Sequence, residues 1–212
     1  MKMGEFLHIL AAILLLTIVG GLSLAISSDW TALPQVLLFS ALIIFTSIFA
    51  KKLMAYLLDS DVEHEIWRFS RWGIKPHQEF KKEVQFGIIL PLMLSILSLG
   101  AIKFSTFLSY EARALKKRAA KRFGPFSYTE MTEWHHAVIG AAGIAAVLLL
   151  ALIIYFLPFD LEYPAKLAVF YAFSNMIPLP KTDGLQIFFG SRVLYTVLAV
   201  ISIIFLSYAI II

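Results

Sequence analysis

Apolar runs of roughly 20 residues alternate with polar stretches along this chain. The runs are Phe6–Ile26, Leu33–Leu58, Phe86–Phe107, Ala137–Leu157, Pro164–Ile177 and Val193–Ile212. A helix rises about 1.5 Å per residue, so about 20 residues cross the roughly 30 Å hydrocarbon core of a bilayer. The pattern predicts an all-α polytopic membrane protein with about five transmembrane helices and one re-entrant apolar hairpin. Leu33–Leu58 would be about 39 Å long, so one end should project from the bilayer. Pro164–Ile177 is too short to span alone and stops at Pro178 and Pro180, which cannot continue a helix. A helix broken at polar residues is typical of membrane sites lined by protein or water.

Composition agrees with this picture. The 212 residues are 60% hydrophobic and 15% charged, with no linker-like tract or internal repeat, which predicts a single membrane domain over residues 1–212. There is no Cys, which excludes disulfides and thiolate metal sites. The first run is long for the apolar region of a signal peptide, and Glu5 offsets Lys2 ahead of it, so a retained helix is expected.

Charge places the loops. The polar segments 59–85 and 109–134 are both rich in Lys and Arg, and the positive-inside rule disfavours putting them on opposite sides of a membrane. If Phe86–Phe107 enters and leaves on one face, bending at Pro91 and Gly100, every one of the 18 basic residues except Lys103 and Lys166 becomes cytoplasmic. The expected topology is therefore a multi-pass cell-membrane protein with a cytoplasmic N-terminus. The basic run Ala112–Arg122, built from strong helix formers, reads as attraction to anionic lipid rather than to nucleic acid.

Candidate chemistry centres on Asn175-Met176-Ile177-Pro178-Leu179-Pro180-Lys181-Thr182-Asp183-Gly184. Pro-x-Pro followed by Asp-Gly is good turn chemistry. Yet a carboxamide and a carboxylate at a membrane edge are costly to desolvate and call for a reason. The order Asn, two residues, Pro, four residues, Asp-Gly resembles the second signature of the site-2 protease family of zinc intramembrane proteases. The resemblance spans roughly residues 33–190. It implies that Asp183 stands at the third zinc-ligand position, and that Asn175 and Pro178 lie where a substrate peptide would pass. The small-residue patch Gly140–Ala146 matches a family helix, although Gly143-Ile144 replaces the frequent Gly-Pro.

The family's first signature, His-Glu-x-x-His, supplies two zinc ligands and the general base. Residues 9–62 contain neither His nor Glu. In the register that sets the motif on Ser47–Lys51, the ligand positions are Ser47 and Lys51 and the base position is Ile48. Peptide hydrolysis needs an activated water and a base, so the expectation is a family member without peptidase activity and without a cofactor, binding a transmembrane client or a partner protease. Lys51 would then stand in for the metal's charge opposite Asp183.

Two other readings remain open at this point. One is an active zinc metallopeptidase recruiting His64, His135 or His136 with Asp183. The other is a small transporter or channel, disfavoured by few charges in the spans and no repeat. His64-Glu65-Ile66-Trp67-Arg68 is no displaced zinc motif, because Arg stays protonated. That stretch reads instead as a solvated interfacial helix with Trp67 and Trp72 at headgroup level. His135 and His136 read as an interfacial pair, since adjacent helical residues point about 100° apart. His8 and His77 receive no role.

Overall fold

The computed structural model describes residues 3–71, 79–115, 131–158 and 161–211. In chain order the elements are α1 (Met3–Ile26), α2 (Leu33–Leu57), β1 (Ser60–Ile66), β2 (Phe69–Arg71), β3 (Glu79–Val84), α3 (Phe86–Leu97), β4 (Leu108–Ala114), α4 (Glu133–Phe156), α5 (Glu162–Met176), α6 (Asp183–Gly190) and α7 (Arg192–Ile211). A 3-10 turn over Trp30–Ala32 leads into α2, and Pro34 sits in the first turn of that helix, where its missing N–H costs nothing.

Four described helices are long and apolar enough to cross a membrane: α1, α2 with its leading turn, α4 and α7. Their outward faces carry Leu7, Leu10, Leu14 and Ile18 on α1, and Leu38, Phe45, Phe49 and Leu53 on α2. An apolar belt of this extent is a lipid-facing surface, since a water-soluble chain would not leave it exposed. The inward faces form one continuous core that includes Leu16, Ile43, Ile44, Val147, Leu167 and Ile187.

Helix α4 is central and packs against α2, α5 and α6. Its small residues permit this. A β-carbon at Gly140 would lie 3.0 Å from the Tyr110 hydroxyl, and one at Gly143 would lie 2.5 Å from Lys51 Cε. Helix α5 ends at Met176, before Pro178, and α6 starts at Asp183, so the expected break in this stretch is present.

The run 86–107 turns back on itself. The Gly87 N–H donates to the Trp67 carbonyl at 2.9 Å, and the Trp67 N–H donates to the Phe107 carbonyl at 2.8 Å, so the run begins and ends beside one residue. Leu99 (φ 52°) and Gly100 (φ 81°) make the bend, with Gly100 against the Ser23 backbone of α1. Pro91, expected to share the bend, lies buried inside α3. Residues 60–66 and 108–114 pair antiparallel, from Ser60 opposite Ala114 to Ile66 opposite Leu108. The chain segments before and after the hairpin are therefore on the same side of it.

That pairing adds a small strand element to the helical fold that was expected. The fold is mostly helical, but two small two-stranded sheets, β1–β4 and β2–β3, cap one end of the bundle. The stretch read as an interfacial helix is β1, with Ser60, Val62, His64 and Ile66 turned inward. Trp67 is buried, its indole N–H donating to the Pro180 carbonyl at 2.7 Å, and is not a headgroup anchor. Ala112–Ala114, expected in a helix, belong to β4, because cross-strand pairing overrides their propensity. Residues 116–122, Trp72 and His77 lie outside the described residues.

A buried lysine–aspartate site between α2, α4 and α6

The α2 helix turns Ser47, Ile48 and Lys51 inward, all under 7% exposed. Lys51 Nζ lies 2.5 Å from Asp183 Oδ2, and both side chains are almost wholly buried. Asp183 opens α6, so its carboxylate also stands at the N-terminal end of a helix, where negative charge is favoured. The stem of Lys51 crosses α4 at Gly143, where any larger residue would strike it. Its ammonium sits 5.0 Å from the centroid of the Tyr110 ring, a cation–π distance. The Tyr110 hydroxyl donates to the His136 carbonyl at 2.5 Å. Burial, followed by the nearby Asp183 carboxylate, holds that phenol well above its ordinary pKa and hence neutral.

The signature loop is held by its own side chains. Thr182 Oγ1 donates toward the Leu179 and Ile177 carbonyls, at 2.7 and 3.0 Å, and accepts from the Leu179 N–H at 3.1 Å. Lys181 adopts φ 65° to close the turn. A β-carbon at Gly184 would fall 2.2 Å from the Met176 carbonyl oxygen, so only Gly lets α6 lie this close to the end of α5. Asn175 is buried and donates from its amide to the Tyr171 carbonyl at 2.8 Å, whereas Pro178 is exposed.

A second charge cluster lies one residue along α2. Lys52 Nζ is 2.6 Å from Glu5 Oε1 of α1, and the same oxygen faces His64 Nδ1 at 3.3 Å and the His64 N–H at 3.4 Å. Burial first, then Lys51 and Lys52, hold the His64 imidazole well below its ordinary pKa. The ring is therefore neutral, and Nδ1 carries the proton given to Glu5. Its Nε2 is buried with no hydrogen-bond partner. Sequence patterning had given Glu5 only the task of offsetting Lys2. No signal in the sequence marks this partnership, because a lone carboxylate ahead of an apolar run names no partner and Lys52, one-third exposed, requires none.

The donor set does not suit zinc. Ser47 and Lys51, the residues of α2 that face Asp183's side of the core, offer a hydroxyl and an ammonium, and an ammonium bonded to the carboxylate cannot ligate a metal. Among the described residues no group of three or more His, Asp or Glu side chains is placed to hold an ion. His64 is turned to Glu5, and His135 bonds Thr132 through Nδ1.

Comparison with protein-family models, with curated proteins and with solved structures gives no match to this chain.

Proposed function

We propose that this is a site-2-protease-like membrane protein in which a lysine replaces the catalytic metal, and that it acts by binding a transmembrane client or a partner protease without cutting it. The observation that carries the reading is the buried Lys51–Asp183 ion pair. In the register that sets the missing zinc motif on Ser47–Lys51, Lys51 takes the place of the second His, and Asp183 falls where the Asn…Asp-Gly signature puts the third ligand. A carboxylate in this environment needs a counter-charge, and the ammonium supplies it without an ion. In this reading the broken helix α5–α6 completes the fifth crossing, the N-terminus and the segments 59–85 and 109–134 are cytoplasmic, and the exposed Pro178 borders the path of a client.

The test is metal analysis of purified protein stripped and then offered zinc. Wild-type protein should retain none tightly. The variant Ser47→His combined with Lys51→His should gain about one zinc per chain, because it restores two ligands facing Asp183. Stoichiometric zinc in the wild type, lost on Asp183→Ala, would instead establish a metallopeptidase site. Failure of the double His variant to gain zinc while remaining folded would remove the assigned register.

A further inference from the structure

At the end of the bundle away from the Lys51–Asp183 pair, α4, α5 and α7 enclose a cleft of about 210 Å³. Its placement follows from the helices. Tyr155 lies 12 residues beyond Gly143 on α4, about 18 Å along the axis, and Glu162 opens α5, the helix whose other end meets Gly184. The back of the cleft is made of small or slender buried side chains, Ala151, Ala165, Val169 and Ala209. Leu152 and Ile204, both exposed, form its lips.

The rim is polar and has a fixed chemistry. Tyr155 and Tyr208 bond hydroxyl to hydroxyl at 2.5 Å, their rings edge to face. Only one of these hydroxyls donates within the pair, so the other keeps a proton to give. Glu162 Oε1 and Lys166 Nζ are 2.7 Å apart, with 44% and 25% of the side chains exposed. Lys166 has three N–H donors and uses one on Glu162, and the carboxylate has further lone pairs. The rim therefore offers a cationic donor, a phenolic donor and an anionic acceptor, with no net charge.

We propose that the cleft binds a glycerophospholipid bearing an ethanolamine headgroup. One acyl chain fills the apolar part, the phosphate meets Lys166 and the free tyrosine proton, and the primary ammonium donates to Glu162. Charge complementarity selects among lipids. A glycerol headgroup brings the phosphate's negative charge but no cation for Glu162. A choline headgroup brings a cation without an N–H donor.

The full chain is reconstituted into nanodiscs containing equimolar phosphatidylethanolamine, phosphatidylcholine and phosphatidylglycerol with identical acyl chains, and the lipid retained on gentle release is counted by native mass spectrometry. Wild-type protein should retain the ethanolamine lipid about tenfold over either other lipid, the scale of one charge-assisted hydrogen bond. Glu162→Gln should bring the ethanolamine and choline lipids to equal retention, and Ala209→Leu, which fills the cleft from the end of α7, should abolish retention of all three. Equal retention by the wild type overturns the proposal, as does an ethanolamine preference that survives Glu162→Gln. A photoreactive side chain at Leu152 supplies an independent readout in the same discs. Adducts with lipid support the assignment, and adducts with a second copy of this chain overturn it.

Discussion

Gly143 of α4 lies directly under the side chain of Lys51, so close that a β-carbon there would come within 2.9 Å of Cγ and 2.5 Å of Cε. The ammonium reaches Asp183 only because that β-carbon is missing. Gly143→Ala should therefore destabilise by about 1–3 kcal/mol, the usual cost of overpacking. In a Lys51→Ala background, where the stem is gone, the same change should cost much less. Thermal unfolding of the four proteins in one detergent checks the coupling; equal cost in both backgrounds would mean that Gly143 serves the packing of α4 alone.

Breaking the ion pair should be expensive from either side. Lys51→Ala leaves a buried carboxylate and Asp183→Ala leaves a buried ammonium, and each should cost about 3–5 kcal/mol. The double variant should lose less than the sum, because neither orphan remains. Additive losses in chemical or thermal denaturation would show that the two groups do not depend on one another.

Acid should weaken the fold through His64. Its folded pKa lies below the unfolded value of 6.5, so the stability from its neutral form is fully present above pH 6.5. As pH falls below 6.5 the unfolded chain takes up a proton that the folded chain refuses, and stability declines by up to about 1.4 kcal/mol per pH unit until the folded pKa is reached. His64→Asn keeps a donor toward Glu5 but cannot titrate, and should flatten this part of the stability profile. A slope unchanged by the substitution would place the acid sensitivity elsewhere.

The chain contains no Cys, so single thiol probes can report topology. Probes at Ser70 and Ser127 should react with an impermeant maleimide from the same face of the membrane, the cytoplasmic one. Labelling from opposite faces would contradict the hairpin that returns Phe107 to Trp67.

Four long apolar helices, the break before Asp183 and the hairpin over 86–107 were legible in the sequence because each rests on a strong local signal: run length, Pro178 with Pro180, and the distribution of Lys and Arg. Asp183 drew attention through the Asn175…Asp183-Gly184 spacing, and Lys51 only through the register chosen for a motif the chain lacks. The strands were not found. In β1 the inward set is Ser60, Val62, His64 and Ile66, and two polar side chains in it conceal the alternation that marks a strand. In β4 the Ala and Arg residues favour helix locally, and only the partner strand, more than 40 residues away in sequence, decides otherwise. Glu5 was out of reach for a similar reason. A lone carboxylate ahead of an apolar run carries no mark of a partner on another helix, and its burial depends on how α1 leans on α2 and β1.

Lys51 and Lys52 are neighbours, yet the roughly 100° between adjacent helical side chains sends them to different anions, one to α6 and the other to α1. The two anions do not become available together. Glu5 is made before α2 and can meet Lys52 as soon as the first two helices sit side by side. Asp183 follows about 130 residues later, so at ordinary rates of synthesis Lys51 waits roughly 6–25 s for its counter-ion. During that interval the inner face of α2 presents a bare ammonium toward the place α4 will occupy. The Lys52–Glu5 contact thus needs only the first two helices, whereas Lys51 gains its counter-ion only with the Asp-Gly turn.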